Sequence, residues 1–343
     1  PMLDVRAWLI WSLTVLVMVS STRNPLYVVL LLLMVTITST VCAPDQEERG
    51  LPSTLRFGLF AVPLAALFNG LTIHSGATPL IHLPEWVPLA GGPVTLEALA
   101  FGATNGLVLT AIFGGFAVFN TVTPTHDLVR LTPRAFREAG VVASIALTFI
   151  PQTSRSLKRI REAQAVRGHQ VRGLRDWLPI VVPLLVSGLE RSMGLAEAMV
   201  ARGYGAIASR ANPLRRQILL ALGLLGLLGG WLSWLFLPTW RTAATAVMAL
   251  GGFLILGAIW LAGRGIERTH YREYRWTWRD TLVAIGCGVN LAVALLPLPL
   301  IDRRSFGYTP YPHLRIPAFD PLIGIALLGL LAPVVITLVG EQD

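Results

Sequence analysis

Residues 162–170 read EAQAVRGHQ, and thirty-five positions later residues 197–205 read EAMVARGYG. Both copies run Glu-Ala, three residues, Arg-Gly and then a ring-bearing side chain, His169 in the first and Tyr204 in the second. A helix's last turn carries unpaired carbonyls and partial negative charge, so Arg167 and Arg202 are favoured there, and Gly168 and Gly203 supply the left-handed residue that closes a helix. The repeat therefore predicts two helices with the same ending. Either ending alone is an ordinary cap, whereas two matched endings at a fixed offset point to a shared task. A guanidinium on a helix tip stays charged and donates in a fork, which suits an acidic groove on a partner protein. Two such tips imply two similar grooves.

Working outward, the first helix is expected to begin near Pro133, to bend at Pro151 and to stop at Gly168. In the second, Leu189, Met193, Ala196 and Val200 fall on one helical face, and Gly203 supplies the stop. Small residues line both, namely Ala139, Gly140, Ala143, Ser144 and Ala146 in the first and Gly188, Ser192, Gly194 and Ala198 in the second. They permit two backbones to cross closely.

The rest of the chain is apolar. Hydrophobic residues make up 54% of the 343 and charged residues 14%, and the mean hydropathy is +0.63, too little polar surface for an ordinary soluble domain. The fold class expected is an all-α polytopic membrane protein, with about eight transmembrane helices plus two long crossed cytoplasmic helices. Windows long enough to cross hydrocarbon fall at residues 5–21, 26–41, 55–73, 96–121, 218–237, 243–262, 282–300 and 322–339. Two further apolar runs, 141–151 and 177–189, are too short to span comfortably, the second being broken by Pro179 and Pro183. The organisation expected is residues 1–121 with four spans, 122–216 with the two tips, and 217–343 with the C-terminal spans.

Charge placement supports this arrangement. From Arg134 to Arg216 the chain carries thirteen arginines and Lys158, and basic residues near spans are retained on the cytoplasmic side. With that segment inside, both termini, the loop with Arg49 and Arg56, and the loop with Arg264, Arg268, Arg272, Arg275 and Arg279 are inside too. The loop from His74 to Thr95, with Glu85, is outside. Only Asp302, Arg303, Arg304 and Arg315 sit against the trend. The net charge of +9 is accounted for by this bias and by anionic lipid, so no nucleic acid is expected as a partner.

At this point the residues resemble a known family, the transmembrane coupling subunit (T component, CbiQ/EcfT family) of energy-coupling factor (ECF) type ABC transporters. The likeness rests on AQAVRGHQ and AMVARGYG, on LTFIPQTSRSLKRIREAQ and LVSGLERSMGLAEAM leading into them, and on LDVRAWLIW followed by RNPLY near the N-terminus. It covers roughly residues 1–240. The resemblance implies that Arg167 and Arg202 each dock into one of two ATP-binding-cassette ATPase subunits, with Ala165, Val166, Gly168, Ala201 and Gly203 completing the tips. Val166 stands where the family often has Ala. Glu162 and Glu197 are supporting residues, expected to pair with a nearby arginine rather than touch the partner. His169 and Tyr204 either pack over the helix end or reach the ATPase. The function implied is coupling: ATPase motion is passed to a substrate-binding S component that takes up a vitamin or metal ion across the cell (plasma) membrane. The spans beyond about residue 240 have no counterpart in a typical member.

Chemistry of its own is not expected. No P-loop accompanies the single lysine, Lys158, no cofactor is implied, and Cys42 and Cys287 have no metal-ligand or CxxC spacing, so they read as small apolar fillers. No Asp, Glu or His falls in the middle of a span, as a membrane enzyme would need; Glu97 and Asp280 lie at span edges. A self-contained secondary transporter is the alternative, with Asn69, Asn105, Asn120 and Asn290 as polar candidates that fit interhelical hydrogen bonding better. Trp8, Trp11, Trp231, Trp234, Trp240, Trp276 and Trp278 lie near span ends and are expected to anchor at the membrane interface.

Overall fold

The computed structural model describes residues 3–42, 53–84, 91–131, 137–169, 173–204, 213–236, 238–263, 276–296 and 301–340. Pro133, Glu85, Arg49, Arg172, Arg210 and the loop arginines from Arg264 to Arg275 lie outside them. The chain forms two compact units, Pro1–Pro124 with Arg272–Asp343, and Thr125–Tyr271.

The first unit holds α1 (Val5–Ser21), α2 (Pro25–Cys42), α3 (Ser53–Thr72), a hairpin of β1 (Pro79–Leu83) and β2 (Gly92–Thr95), and α4 (Leu96–Val122). Its C-terminal part supplies three more helices. These are numbered α10 (Trp278–Leu295), α11 (Pro321–Leu328) and, after a 3-10 turn, α12 (Ala332–Gly340). The core runs through α1, α2, α4 and the C-terminal helices, with Trp11, Met18, Tyr27, Leu31, Cys287, Ile323 and Leu330 fully buried or nearly so. Burial of apolar side chains is a weak driving force between helices in lipid, so close packing and hydrogen bonds must specify this assembly. Both are present. The Trp11 indole donates to the Leu330 carbonyl at 2.9 Å, and Asn290 Nδ2 donates to the Ala326 carbonyl at 2.8 Å. A methyl group at Gly286 would lie 2.5 Å from the Gly329 carbonyl oxygen, so α10 and the α11–α12 turn touch backbone to backbone. Asn24 Nδ2 donates to the carbonyls of Ser305 and Ala318, while Tyr27 Oη accepts from the Asp320 amide at 2.7 Å.

The last span starts as an ordered re-entry: Pro321 opens α11, and the Asp320 carboxylate accepts from the Leu322 amide, an N-cap at a helix start favoured by proline. The C-terminal region therefore returns onto α1 and α2, which sequence order does not announce. Trp8 and Trp11 correct the interfacial expectation. They are 4% and 0% exposed and belong to the core, whereas Trp231, Trp234, Trp240, Trp276 and Trp278 are exposed.

The β1–β2 hairpin was not legible, because its strands are short. Its base is held by Glu97 at the first turn of α4, whose carboxylate accepts from the Thr78 hydroxyl at 2.8 Å. Nearby, burial and the Glu97 charge push the Tyr311 phenol above its ordinary pKa. Asp280 closes a capping box with Thr277 at the start of α10 and accepts from the Asp4 amide at 2.8 Å. Of the two buried carboxylates, Asp280 thus serves a helix start and Glu97 the hairpin base.

The second unit contains α5 (Thr125–Arg130), α6 (Arg137–Val166), a 3-10 turn at Leu174–Trp177, α7 (Leu178–Ala201), α8 (Pro213–Phe236) and α9 (Arg241–Gly263). The helix α6 continues through Pro151 for 30 residues. Proline does not interrupt α7 either: Pro179 sits in its first turn and Pro183 inside it. As a result Arg175–Ala201 is long and apolar enough to cross a membrane, one of eight such stretches among the described residues, while Val5–Ser21 is shorter than the rest. Reading only the run 177–189 missed this, because a proline in the first turn starts a helix and the apolar pattern resumes after Glu190 and Arg191.

Candidate functional site: two arginine-tipped helix ends

The ends of α6 and α7 are built alike. In the first, the Gly168 amide donates to the Ala165 carbonyl at 2.9 Å and the His169 amide to the Gln164 carbonyl at 3.0 Å. In the second, the Gly203 amide donates to the Val200 carbonyl at 2.9 Å and the Tyr204 amide to the Met199 carbonyl at 3.0 Å. These paired bonds, five back and three back from successive residues, are the Schellman closure. The glycines take φ of +80° and +75°, the left-handed region in which a side chain is disfavoured. Arg167 and Arg202 occupy the same position in the two caps, one residue before the glycine, at the negative pole of the helix.

Exposure is the other shared property. Arg167, Gly168, Arg202 and Gly203 are all exposed, as are Ala165, Val166 and Ala201, and Val166 is 90% accessible. No neighbouring heavy atom lies within 4 Å of where a Cβ would stand on either glycine. Each tip is a closed, rigid backbone cap with an arginine on open ground.

The supporting residues behave differently from one another. His169 Nε2 is hydrogen-bonded to the Asp176 carbonyl at 2.7 Å, so its ring fastens the first tip to the turn before α7. Tyr204 is 39% exposed. Glu162 and Glu197 are exposed, and among the described residues neither is paired with an arginine, contrary to expectation. Arg167 and Arg202 stand five residues further on, off the helical face that three- and four-residue neighbours share.

The two helices run in opposite directions and meet through side chains. Gln164 Nε2 donates to the Pro179 carbonyl at 3.3 Å, and Arg191 Nη2 donates to Ser156 Oγ at 3.3 Å. The face of α7 that turns inward carries Ile180, Leu184, Ser187, Arg191, Leu195 and Met199, while Leu189, Met193, Ala196 and Val200 are exposed. Gly188 and Gly194 have nothing within 4 Å of a built Cβ, so they do not provide a close backbone crossing. The expected apolar stripe is real but faces outward. In a membrane protein an apolar face suits lipid as well as a neighbouring helix, and the polar pair Ser187 and Arg191 marks the inner side. Sequence reading passed over Arg191 and Ser156; their equal distance from the two tip arginines was the available signal.

Fold and site together define a class: an all-α polytopic membrane protein with two matched, exposed, arginine-bearing helix ends. Residues 2–214 match the family model described as CbiQ, Cobalt transport protein, and the chain belongs to that family. It is 30% identical to Energy-coupling factor transporter transmembrane protein EcfT 1 of Listeria monocytogenes serotype 1/2a (strain 08-5578) over 167 residues, 43% of this chain and 57% of the relative. It is 27% identical to the EcfT protein of Heliobacterium modesticaldum over 221 residues, 61% of this chain and 74% of the relative. With the EcfT protein of Staphylococcus aureus (strain 04-02981) it shares 35% identity over 81 residues, 30% of that relative. The matched region thus spans from about a third to three quarters of these relatives. The protein is an ECF transporter membrane component. The family match ends at residue 214, so α9 to α12 and nearly all of α8 lie beyond it.

Proposed function

We propose that this chain is the T component that couples two ATP-binding-cassette ATPase subunits to a substrate-binding S component in an ECF-type importer for a vitamin or metal ion. In this reading it sits in the cell membrane with both termini and both tips on the cytoplasmic side, α7 skimming the membrane rather than crossing it, and catalysis of ATP hydrolysis belongs to its partners. The observation that carries the reading is the pair of Schellman caps with the same hydrogen bonds, each presenting an exposed arginine. An isolated cap needs only its glycine and its backbone bonds. Arg167 and Arg202 add a fixed positive fork at each tip, which fits an acidic groove and needs no rearrangement to enter it.

The buried acids favour this reading over an enzyme, since Asp280 caps the start of α10 and Glu97 holds Thr78 at the base of the hairpin. Asn290 is likewise committed to an interhelical hydrogen bond. The test is coexpression with candidate ATPases, comparing the wild type with Arg167→Glu plus Arg202→Glu. Both residues are exposed, so the double variant should insert and accumulate normally. It should lose ATPase copurification by at least about tenfold per tip, the effect of about 1.4 kcal/mol of lost charge-assisted bonding, and lose uptake with it. A double variant that still holds its ATPases and transports overturns the proposal.

A further inference from the structure

Of the two side-chain bonds that join α6 to α7, one lies beside the first tip, from Gln164 to the Pro179 carbonyl, and the other, from Arg191 to Ser156, sits at a special place. Ser156 and Arg191 are 35 residues apart, the same offset as the repeat, so they are corresponding positions on the two helices. Ser156 precedes Arg167 by eleven residues, and Arg191 precedes Arg202 by eleven. Because α6 and α7 run oppositely, the two tips lie on opposite sides of this contact, each on an arm of about 16 Å at the helical rise. The arms are stiff, with no proline between Ser156 and Val166 or between Arg191 and Ala201. Pro151 and Pro183 both fall on the far side of the contact from their own tip.

The joint itself is made of side chains. The Arg191 guanidinium donates to Ser156 Oγ at 3.3 Å and lies 6.0 Å from the centroid of the Phe149 ring, the outer range of a cation–π contact. Arg191 is half-buried, while Gly188 and Gly194 on either side of it face open space. Gln164 and His169 fasten the first tip to the start of α7 and the turn before it, so Arg191 is the second point of attachment, and the angle between the two helices depends on it.

We propose that Arg191, held against Ser156 and Phe149, is the brace of the tip-bearing pair, a positioning residue that fixes the angle between the helices carrying Arg167 and Arg202 so that motion of the two partners is passed on as one. The inference rests on the reading of the tips as ATPase docking points. Its test uses the full complex of this chain with its ATPases and S component, with Arg191→Ala, Arg191→Lys and Ser156→Ala. Arg191→Ala should keep ATPase copurification and ATP hydrolysis near wild type, while uptake per ATP hydrolysed falls about fivefold or more, the size of a typical coupling free energy. Arg191→Lys, which retains the charge and loses the planar fork, should recover part of the ratio.

A structural readout goes with it. Spin labels at Ala163→Cys and Ala198→Cys, corresponding exposed positions short of the tips, in a background with Cys42 and Cys287 replaced by alanine, should report a distance distribution that broadens in Arg191→Ala. Unchanged coupling with an unchanged distribution overturns the brace, and so does a loss of ATPase association in Arg191→Ala, which would assign the residue to docking. Should Arg191→Ala fail to accumulate, Ser156→Ala removes only the acceptor and must show the same loss of coupling in smaller degree. Failure of the docking reading is distinguishable, because it shows as ATPase association retained by the double tip variant.

Discussion

The second unit contains two helix pairs that look alike in sequence and pack in opposite ways. Both α6–α7 and α8–α9 are rich in small residues. In α8–α9 these residues bring the backbones together: a methyl group at Gly251 would lie 2.7 Å from the Leu227 amide nitrogen and 2.8 Å from the Gly223 carbonyl oxygen. In α6–α7 the glycines of α7 face open space, and the helices are joined by Arg191, Ser156 and Gln164 through their side chains. Backbone contact of the first kind gives a fixed hairpin, since dense packing tolerates neither added volume nor sliding. Side-chain contact of the second kind holds the pair at two places, Gln164 to Pro179 and Arg191 to Ser156, so its angle depends on those side chains. The proposed brace and the rigid hairpin are thus neighbours in sequence, α7 being followed by α8.

Substitutions that add volume separate the two pairs most sharply. Gly251→Leu must drive side-chain atoms into the backbone of α8, and it should destabilise the hairpin by about 3 kcal/mol or more, read as a large fall in thermal stability of the detergent-solubilised protein. If that variant melts like the wild type, the close α8–α9 contact is wrong. Next in size are Gly168→Ala and Gly203→Ala. Space is open around both glycines, so only the left-handed backbone is strained, at about 1 kcal/mol each. Hydrogen exchange of the His169 and Tyr204 amides should then quicken about fivefold, with the helix bodies unaffected; exchange that does not change would mean that the caps are not closed in solution. Smallest, and opposite in sign, is Gly194→Ala. It adds a methyl group where nothing is within 4 Å and improves helix propensity, so stability should rise by about 0.5 kcal/mol. A loss at this position would place α7 against a neighbour through the very face that is open here.

The tips were readable from the sequence because a helix cap is local. Arg167, Gly168 and His169, or Arg202, Gly203 and Tyr204, contain every group that the closure uses apart from carbonyls in the preceding turn, and glycine is the residue for which the left-handed backbone is inexpensive. The inward face of α7 was less so. Leu189, Met193 and Val200 form a good apolar stripe, yet they face outward and Arg191 faces in, because the period of an apolar pattern gives the face and lipid removes the usual reason to bury it.

Sequence alone determined the membrane class, most of the spans and the two matched helix ends, since each depends on length, composition or bonds within one turn. Tertiary structure decided that Trp8 and Trp11 belong to the core, that α10 to α12 return onto α1 and α2, and that Ser156 and Arg191 meet at corresponding points of the repeat. Those outcomes hang on which apolar surface finds a helix and which finds lipid. The two are equally hydrophobic, so only the placing of backbone contacts and hydrogen bonds between distant segments tells them apart.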